Sequence, residues 1–202
     1  MSGSQAESAV TGGLRERKKA RTKLAIQEHA IRLFRDQGYA QTTIEQIAEA
    51  AEVSPSTVFR YFPTKEDLVT TDEIDPLVYA AFEAQPPELN LVQAWRAAIA
   101  TTYARLSEVE VETEKDRGLL FLTVPELWGA SLSSITRSTD SLIEMSARRT
   151  GRDVHDPQLR TAIGAIFGVL LLAAFDWVRN PRQDILKVID DAFDQLEQGI
   201  VL

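Results

Sequence analysis

Apolar residues recur along this chain at intervals of three and four, and no stretch shows the two-residue alternation of a strand. The pattern predicts an all-α protein. A first helix runs from about Leu14 to Gln37, with Ile26, Ala30, Leu33 and Phe34 on one stripe and Gly38 as its stop. Ahead of it, residues 1–13 are rich in Ser, Gly and Ala without periodicity, and read as a disordered tail. Ile44, Ile47, Ala48 and Ala51 mark a second, short helix. Ser54-Pro55 opens a third, pairing an N-cap hydroxyl with a proline at the first helical position, where no N–H is missed. Val53, Val58 and Phe62 give that helix its inward face.

A fourth helix is predicted from near Thr64 through Leu68, Ile74, Leu77, Val78 and Phe82, kinked at Asp75-Pro76 and ended by Pro86-Pro87. Asn90 caps a helix bearing Leu91, Trp95, Ile99, Tyr103 and Leu106. The acidic stretch from Glu108 to Asp116 reads as a loop, and Leu119 to Trp128 as a helix kinked at Pro125. Ser131 to Arg149 forms another helix, stopped by Gly151. Asp156-Pro157 opens one that reaches about Arg179. After the break at Asn180-Pro181, a last helix covers about Arg182 to Glu197. The domains expected are the tail 1–13, a small unit over 14–70 and a larger helical unit over 71–202.

Residues 43–62 have the layout of a helix-turn-helix, in which the first helix braces the second against the major groove. The outward face of the second helix carries Ser56, Thr57, Arg60 and Tyr61, all able to hydrogen-bond phosphates or base edges. Charge changes the picture only when divided along the chain. The net charge of −8 is wrong for a DNA binder as a whole. Through Val69, however, ten Lys/Arg face nine Asp/Glu, and residues 14–23 hold six basic residues and one acidic. Fields between exposed charges fade within about 8 Å at physiological salt, so the local excess is what a phosphate meets. Lys65, in the first turn of helix four, opposes that helix's dipole, and a phosphate bound there would satisfy both.

These residues resemble the tetracycline-repressor (TetR) family of bacterial transcription regulators. The match runs through Leu33-Phe34, Gly38-Tyr39, Thr43, Ile47-Ala48, Ala51, Val53-Ser54, Thr57, Phe59, Tyr61-Phe62, Lys65-Glu66 and Leu68, covering about residues 14–70. The resemblance implies double-stranded DNA as a partner, with Arg21, Thr43, Ser54, Pro55, Ser56, Thr57, Phe59, Arg60, Tyr61 and Lys65 as the candidate contacts. Two positions depart from the family pattern. Glu52 stands where glycine is usual, at a cost of about 1 kcal/mol where φ is positive. Phe59 replaces a usual tyrosine, so a hydroxyl that commonly touches phosphate is absent. The SPSTVFRYFPTKEDL wording and the Arg-rich segment before Asp156 resemble actinobacterial members, some of which answer to acyl-CoA thioesters.

No enzyme is expected. The chain has no cysteine and two histidines, His29 and His155, without metal-ligand spacing. It has no GxSxG, P-loop or glycine-rich dinucleotide turn, so neither a metal nor a cofactor is expected. No apolar segment follows the basic run as in a signal peptide, and a cytoplasmic protein is expected. Ala162 to Phe175 is wholly apolar or glycine, but fourteen residues span only about 21 Å, short of a hydrocarbon core of about 30 Å. A buried helix is therefore expected, with no membrane partner.

Gly164 and Gly168 on that helix permit a close helix approach, and Leu171 lies on the same run. The final helix supplies Ile185, Val188, Ile189, Ala192 and Leu196. Two such helices from each of two subunits make a four-helix interface, the homodimer that the family resemblance also implies. The resemblance further implies a cavity for a small hydrophobic effector, for which Trp95, Tyr103, Phe121, Trp128, Phe167 and Trp177 are the candidate lining, although taken residue by residue core filling is the favoured reading. The expectation is a ligand-responsive homodimeric repressor on a palindromic operator. The rival is a helical small-molecule-binding or interaction protein whose vestigial helix-turn-helix no longer reads DNA. Glu52, Phe59 and the acidic total stand on the rival's side.

Overall fold

The computed structural model describes residues 3–180 and 183–199, and none of these lies in a β-strand. The chain divides between Val69 and Thr70 into two compact units.

The N-terminal unit holds α1 (Gly3–Gln37), α2 (Ile44–Ala50), α3 (Pro55–Tyr61) and the single turn α4 (Asp67–Thr70), whose last residue opens the second unit. Helix α1 thus starts ahead of Leu14, so the backbone of 3–13 is helical rather than a disordered tail. Gln5, Ala6, Glu7 and Ala9 are compatible with helix, and Gly12-Gly13 is spanned at about 1 kcal/mol per glycine. The side chains of residues 3–17, including Arg15 and Arg17 of the basic run, lie outside the described residues, as do Pro181 and Arg182. The core gathers Ile26, Ile31 and Phe34 of α1 with Ile47, Val58, Phe62 and Leu68, all fully buried. Gly38, at φ +92°, ends α1 by donating its N–H to the Phe34 carbonyl at 3.0 Å.

The C-terminal unit contains α5 (Asp75–Glu83), α6 (Leu91–Tyr103), α7 (Glu108–Thr123), a 3₁₀ turn (Pro125–Leu127), α8 (Trp128–Thr150), α9 (Pro157–Arg179) and α10 (Ile185–Gln198). Three expectations are corrected. Helix four is two helices, because the Asp72 carboxylate accepts from the N–H groups of Ile74 and Asp75 and starts a new helix at Asp75, with Pro76 in its first turn instead of at a kink. The acidic stretch 108–116 is helix, not loop: Ser107 and Glu110 form a capping box, and acids in a first turn favour the dipole. The segment after it is not one kinked helix; α7 ends at Thr123 and α8 starts at Trp128.

Trp95 lies at the centre of this unit's core, stacked on Phe82 at 3.9 Å between centroids and donating its indole N–H to Ser146 at 3.1 Å. Ile163 and Ile166 of α9 and Phe193 of α10 close the core. Arg96 ties α6 to α10 through Asp190 at 2.6 Å and Asp194. Helix α9 as a whole is long and apolar enough to cross a bilayer by length and composition, more than the run 162–175 alone suggests. Its face bearing Leu159, Ile163, Ile166, Ala173 and Trp177 is nevertheless buried in the unit.

Candidate functional site

The N-terminal unit presents α3 on a turn of defined geometry. The N–H of Glu52 donates to the Glu49 carbonyl at 3.1 Å, and that of Val53 to Ala48 at 2.9 Å. This is the Schellman pattern, which needs a left-handed residue at Glu52, and its φ is +53°. Val53 then leads into the next cap. The Ser54 hydroxyl accepts from the Thr57 N–H at 3.2 Å and lies 2.9 Å from the hydroxyls of both Ser56 and Thr57. Val58 points inward and is wholly buried. Ser54, Pro55, Ser56, Phe59 and Arg60 are left exposed, with Thr57 and Tyr61 half-buried. The Arg60 guanidinium sits 5.4 Å from the Tyr61 ring centroid.

Helix α2 is entered through a capping box: the Thr43 hydroxyl accepts from the Gln46 N–H at 3.3 Å, and the Gln46 amide oxygen accepts from the Thr43 N–H at 2.8 Å. Thr43 and, on α1, Arg21 are exposed. Lys65 is placed differently from expectation. Its ammonium lies 4.3 Å from the Tyr39 ring centroid and 5.5 Å from that of Phe34, and it donates to the Tyr39 carbonyl. The N–H groups at the start of α4 are served by a Thr64–Asp67 exchange, Thr64 N–H to the carboxylate at 2.9 Å and Asp67 N–H to the hydroxyl at 3.2 Å. The lysine's charge meets two ring faces and a backbone carbonyl inside the unit.

The C-terminal unit contains a partly open cavity of about 310 Å³. Trp95, Tyr103, Phe121 and Phe167 line it with Leu170 and Ile189; its polar residues include Asp72, Asp75, Tyr79, Arg117 and Ser138. Asp75 accepts hydrogen bonds from Tyr79 at 3.1 Å and Ser138 at 3.0 Å. Arg117 is buried and donates to Glu114, at 2.8 Å from its Nε, and to Asp72. Burial, then the neighbouring Asp72, pushes the Asp75 carboxyl up to about 6. Burial likewise raises Glu114 to about 7 against the pull of Arg117, and holds the Tyr79 and Tyr103 phenols well above their ordinary range. Among the described residues, no three His, Cys, Asp or Glu side chains are grouped to hold a metal ion.

Residues 26–70 match the model of bacterial regulatory proteins of the tetR family, and residues 89–201 match that of the MftR C-terminal domain. The chain is 33% identical to the HTH-type transcriptional regulator TcmR of Streptomyces glaucescens, over 90% of this chain and 84% of that one. The chain belongs to the TetR family. It is also 26% identical to the putative mycofactocin biosynthesis transcriptional regulator MftR of Mycobacterium tuberculosis, over 91% and 93% of the two chains. Two solved structures share its fold: Thermus thermophilus FadR in complex with lauroyl-CoA (TM-score 0.53, 23% identity, 89% and 95% covered) and Pseudomonas aeruginosa NalD, the secondary repressor of the MexAB-OprM efflux pump (0.58, 22%, 92% and 98%). The protein is accordingly a DNA-binding transcriptional regulator of this family.

Within this TetR-family chain, four of the six candidate ring residues meet at the cavity and two do not. Trp128 is 65% exposed at the start of α8. Trp177 is buried near the end of α9 and is not part of the cavity lining, and its indole N–H has no partner among the described residues. The residues at the cavity's polar end went unread because they come from separate elements and look like ordinary helix-surface residues in the sequence. Of the interface candidates, Leu171 and Ile189 line the cavity, and Ile189 and Leu196 pack on the unit's own core. Gly164 is exposed, and Gly168, Ile185, Val188 and Ala192 are half-buried. Leu172, at 64% exposed, and Phe175, at 37%, extend the stripe through Gly168 by steps of four and three and were not among the candidates.

Proposed function

We propose that this regulator is a homodimeric repressor that holds a palindromic operator and releases it when a small, largely hydrophobic effector fills the cavity of the C-terminal unit. The carrying observation is the cavity itself, walled by Trp95, Tyr103, Phe121 and Phe167 within a unit of a DNA-binding chain. Its volume sits at the lower end of the ~300–1,000 Å³ typical of ligand sites. The α9 stripe of Gly164, Gly168, Leu172 and Phe175 supports the dimer, since a Cβ added at either glycine meets no atom within 4 Å. A two-fold dimer reads two half-sites whose centres lie about 34–36 Å apart, or a simple multiple of that. Exposed Ser56 and Arg60, with half-buried Thr57 and Tyr61 beside them, would read the groove, with Thr43 and Arg21 on phosphates. The cytoplasm, where the DNA lies, is its place of action.

Release by a factor of about 100 needs only about 2.7 kcal/mol of differential affinity between the two states. A gel shift with DNA from upstream of the protein's own gene tests the reading. A palindromic fragment should be retained at submicromolar dimer and freed by a compound that quenches Trp95 fluorescence. Absence of any shift would favour the vestigial reading.

A further inference from the structure

The charges at the polar end of the cavity are unevenly matched. Arg117 is its buried cation, and both Asp72 and Glu114 draw on it. Among the described residues Asp75 accepts from the neutral hydroxyls of Tyr79 and Ser138 and forms no ion pair, although Arg117 is near enough to act on it through space. Arg137 lines the adjoining polar groove of about 340 Å³ that Asp75 also borders, and makes no ion pair with Asp75. Tyr103, on α6, borders the same cavity. The remaining walls are rings and aliphatic chains. A half-buried carboxylate without an ion pair is disfavoured, and aromatic faces attract cations as well as apolar groups.

We propose that the cavity takes a ligand with a protonated amine or quaternary ammonium head set against Asp75, its apolar body lying among Trp95, Phe121 and Phe167. The inference rests on the reading of this cavity as the effector site and gives that effector its charge. An acyl chain would leave Asp75 unmatched, and a carboxylate or phosphate would face Asp72 and Asp75 across a poorly solvated space. A cation supplies the missing partner and keeps Asp75 ionised. The groups that set this titration come from every wall: Asp72 ahead of α5, Tyr79 on α5, Tyr103 on α6, Arg117 and Glu114 on α7, and Ser138 with Arg137 on α8. Phe167 and Leu170 of α9 bring no charge.

Three probes that share a naphthylmethyl body test this by calorimetry on the full-length, DNA-free protein: the trimethylammonium cation, its neutral tert-butyl isostere, and the carboxylate. The cation should bind at least tenfold tighter than the isostere at pH 7.5, and the carboxylate more weakly than either. Because Asp75 titrates near 6, the affinity of this permanent cation should fall several-fold by pH 5, while that of the neutral probe holds. In Asp75→Asn, the ratio of cation to isostere affinity should collapse to about one. The pH series on the unmodified protein decides the matter if that variant does not fold. Equal or tighter binding of the neutral or anionic probe, a pH-independent cation affinity, or no cation binding at millimolar concentration overturns the proposal. Operator release, followed separately by anisotropy, distinguishes the two readings. A selectively bound cation that never moves DNA defeats the effector role alone; release by neutral or anionic compounds and not by cations defeats the charge assignment alone.

Discussion

The N–H of Val53 donates to the carbonyl of Ala48 at 2.9 Å, closing the end of α2 over a glutamate held at φ +53°. That pair of residues fixes the direction in which the chain leaves α2, and hence where Ser54 starts the reading helix. Glu52 is exposed and gains nothing visible in return for a conformation that L side chains avoid. Glu52→Gly should therefore stabilise the N-terminal unit by up to about 1 kcal/mol, less the entropy glycine loses on folding. Denaturant midpoints at constant m-value would register it. A loss of stability would mean that the carboxylate makes a contact worth more than the strain.

Arg60 is the exposed guanidinium of α3, and its neighbour Tyr61 lies close enough to orient it. If it pairs with a guanine, Arg60→Ala should cost about 1–3 kcal/mol on the operator and relax preference at one base position. Equal loss on operator and random DNA would assign Arg60 to the backbone instead.

Arg21 and Lys65 should separate in their behaviour. Arg21 is exposed on α1, so a phosphate contact in each half-site would make Arg21→Ala reduce the salt slope by about 1.8 in a dimer, with folding stability little changed. Lys65 is engaged with Tyr39 and Phe34, and Lys65→Ala should lower stability by about 1–2 kcal/mol. A Lys65 variant as stable as the native chain, with a slope reduced by 1.8, would return that lysine to the DNA.

Leu172 tests assembly. It is exposed in the isolated chain, so Leu172→Asp should leave the fold intact while placing a charge in the proposed interface. Sedimentation at micromolar concentration should give a dimer for the native protein and a monomer for the variant. A native monomer would refute the two-fold reading.

The parts of this molecule legible in its sequence are those made by neighbours. Ser54-Pro55, Asn90 and Asp156-Pro157 are caps whose partners stand within three residues, and each opens a helix as expected. Helix α7 was hidden because Glu108 to Asp116 lacks an apolar stripe, yet Ser107 and Glu110 form the serine-to-glutamate box that marks a helix start. The aromatic walls were half legible, since ring residues could be named but not sorted between cavity, core and surface. Asp75 with Ser138, and Asp72 with Arg117, are 63 and 45 residues apart, and no local pattern joins them.

Acidification should stabilise the ligand-free protein before it harms it. Asp75 is raised from 3.8 to about 6 by burial and then by Asp72, and Glu114 from 4.5 to about 7 by burial. Both hold a proton in the folded chain at a pH where the unfolded chain has released it. Folding therefore takes up protons between about pH 4 and 7, and stability rises as pH falls through that window. The carboxyls of Glu110, Asp156 and Asp190 are held low by their hydrogen bonds and act in the opposite sense, but their contribution is lost only below the ordinary carboxylate range. Between pH 7.5 and 5 the cavity groups should dominate. The thermal midpoint should rise by about 2–4 °C, the effect of ~1 kcal/mol in a chain of this size. Asp75→Asn should remove part of that rise, and a bound cation should oppose it by favouring the ionised carboxylate. A midpoint that falls steadily from pH 7.5 to 5 would show that Arg117 keeps Glu114 ionised and that Asp75 is matched by a charge from elsewhere.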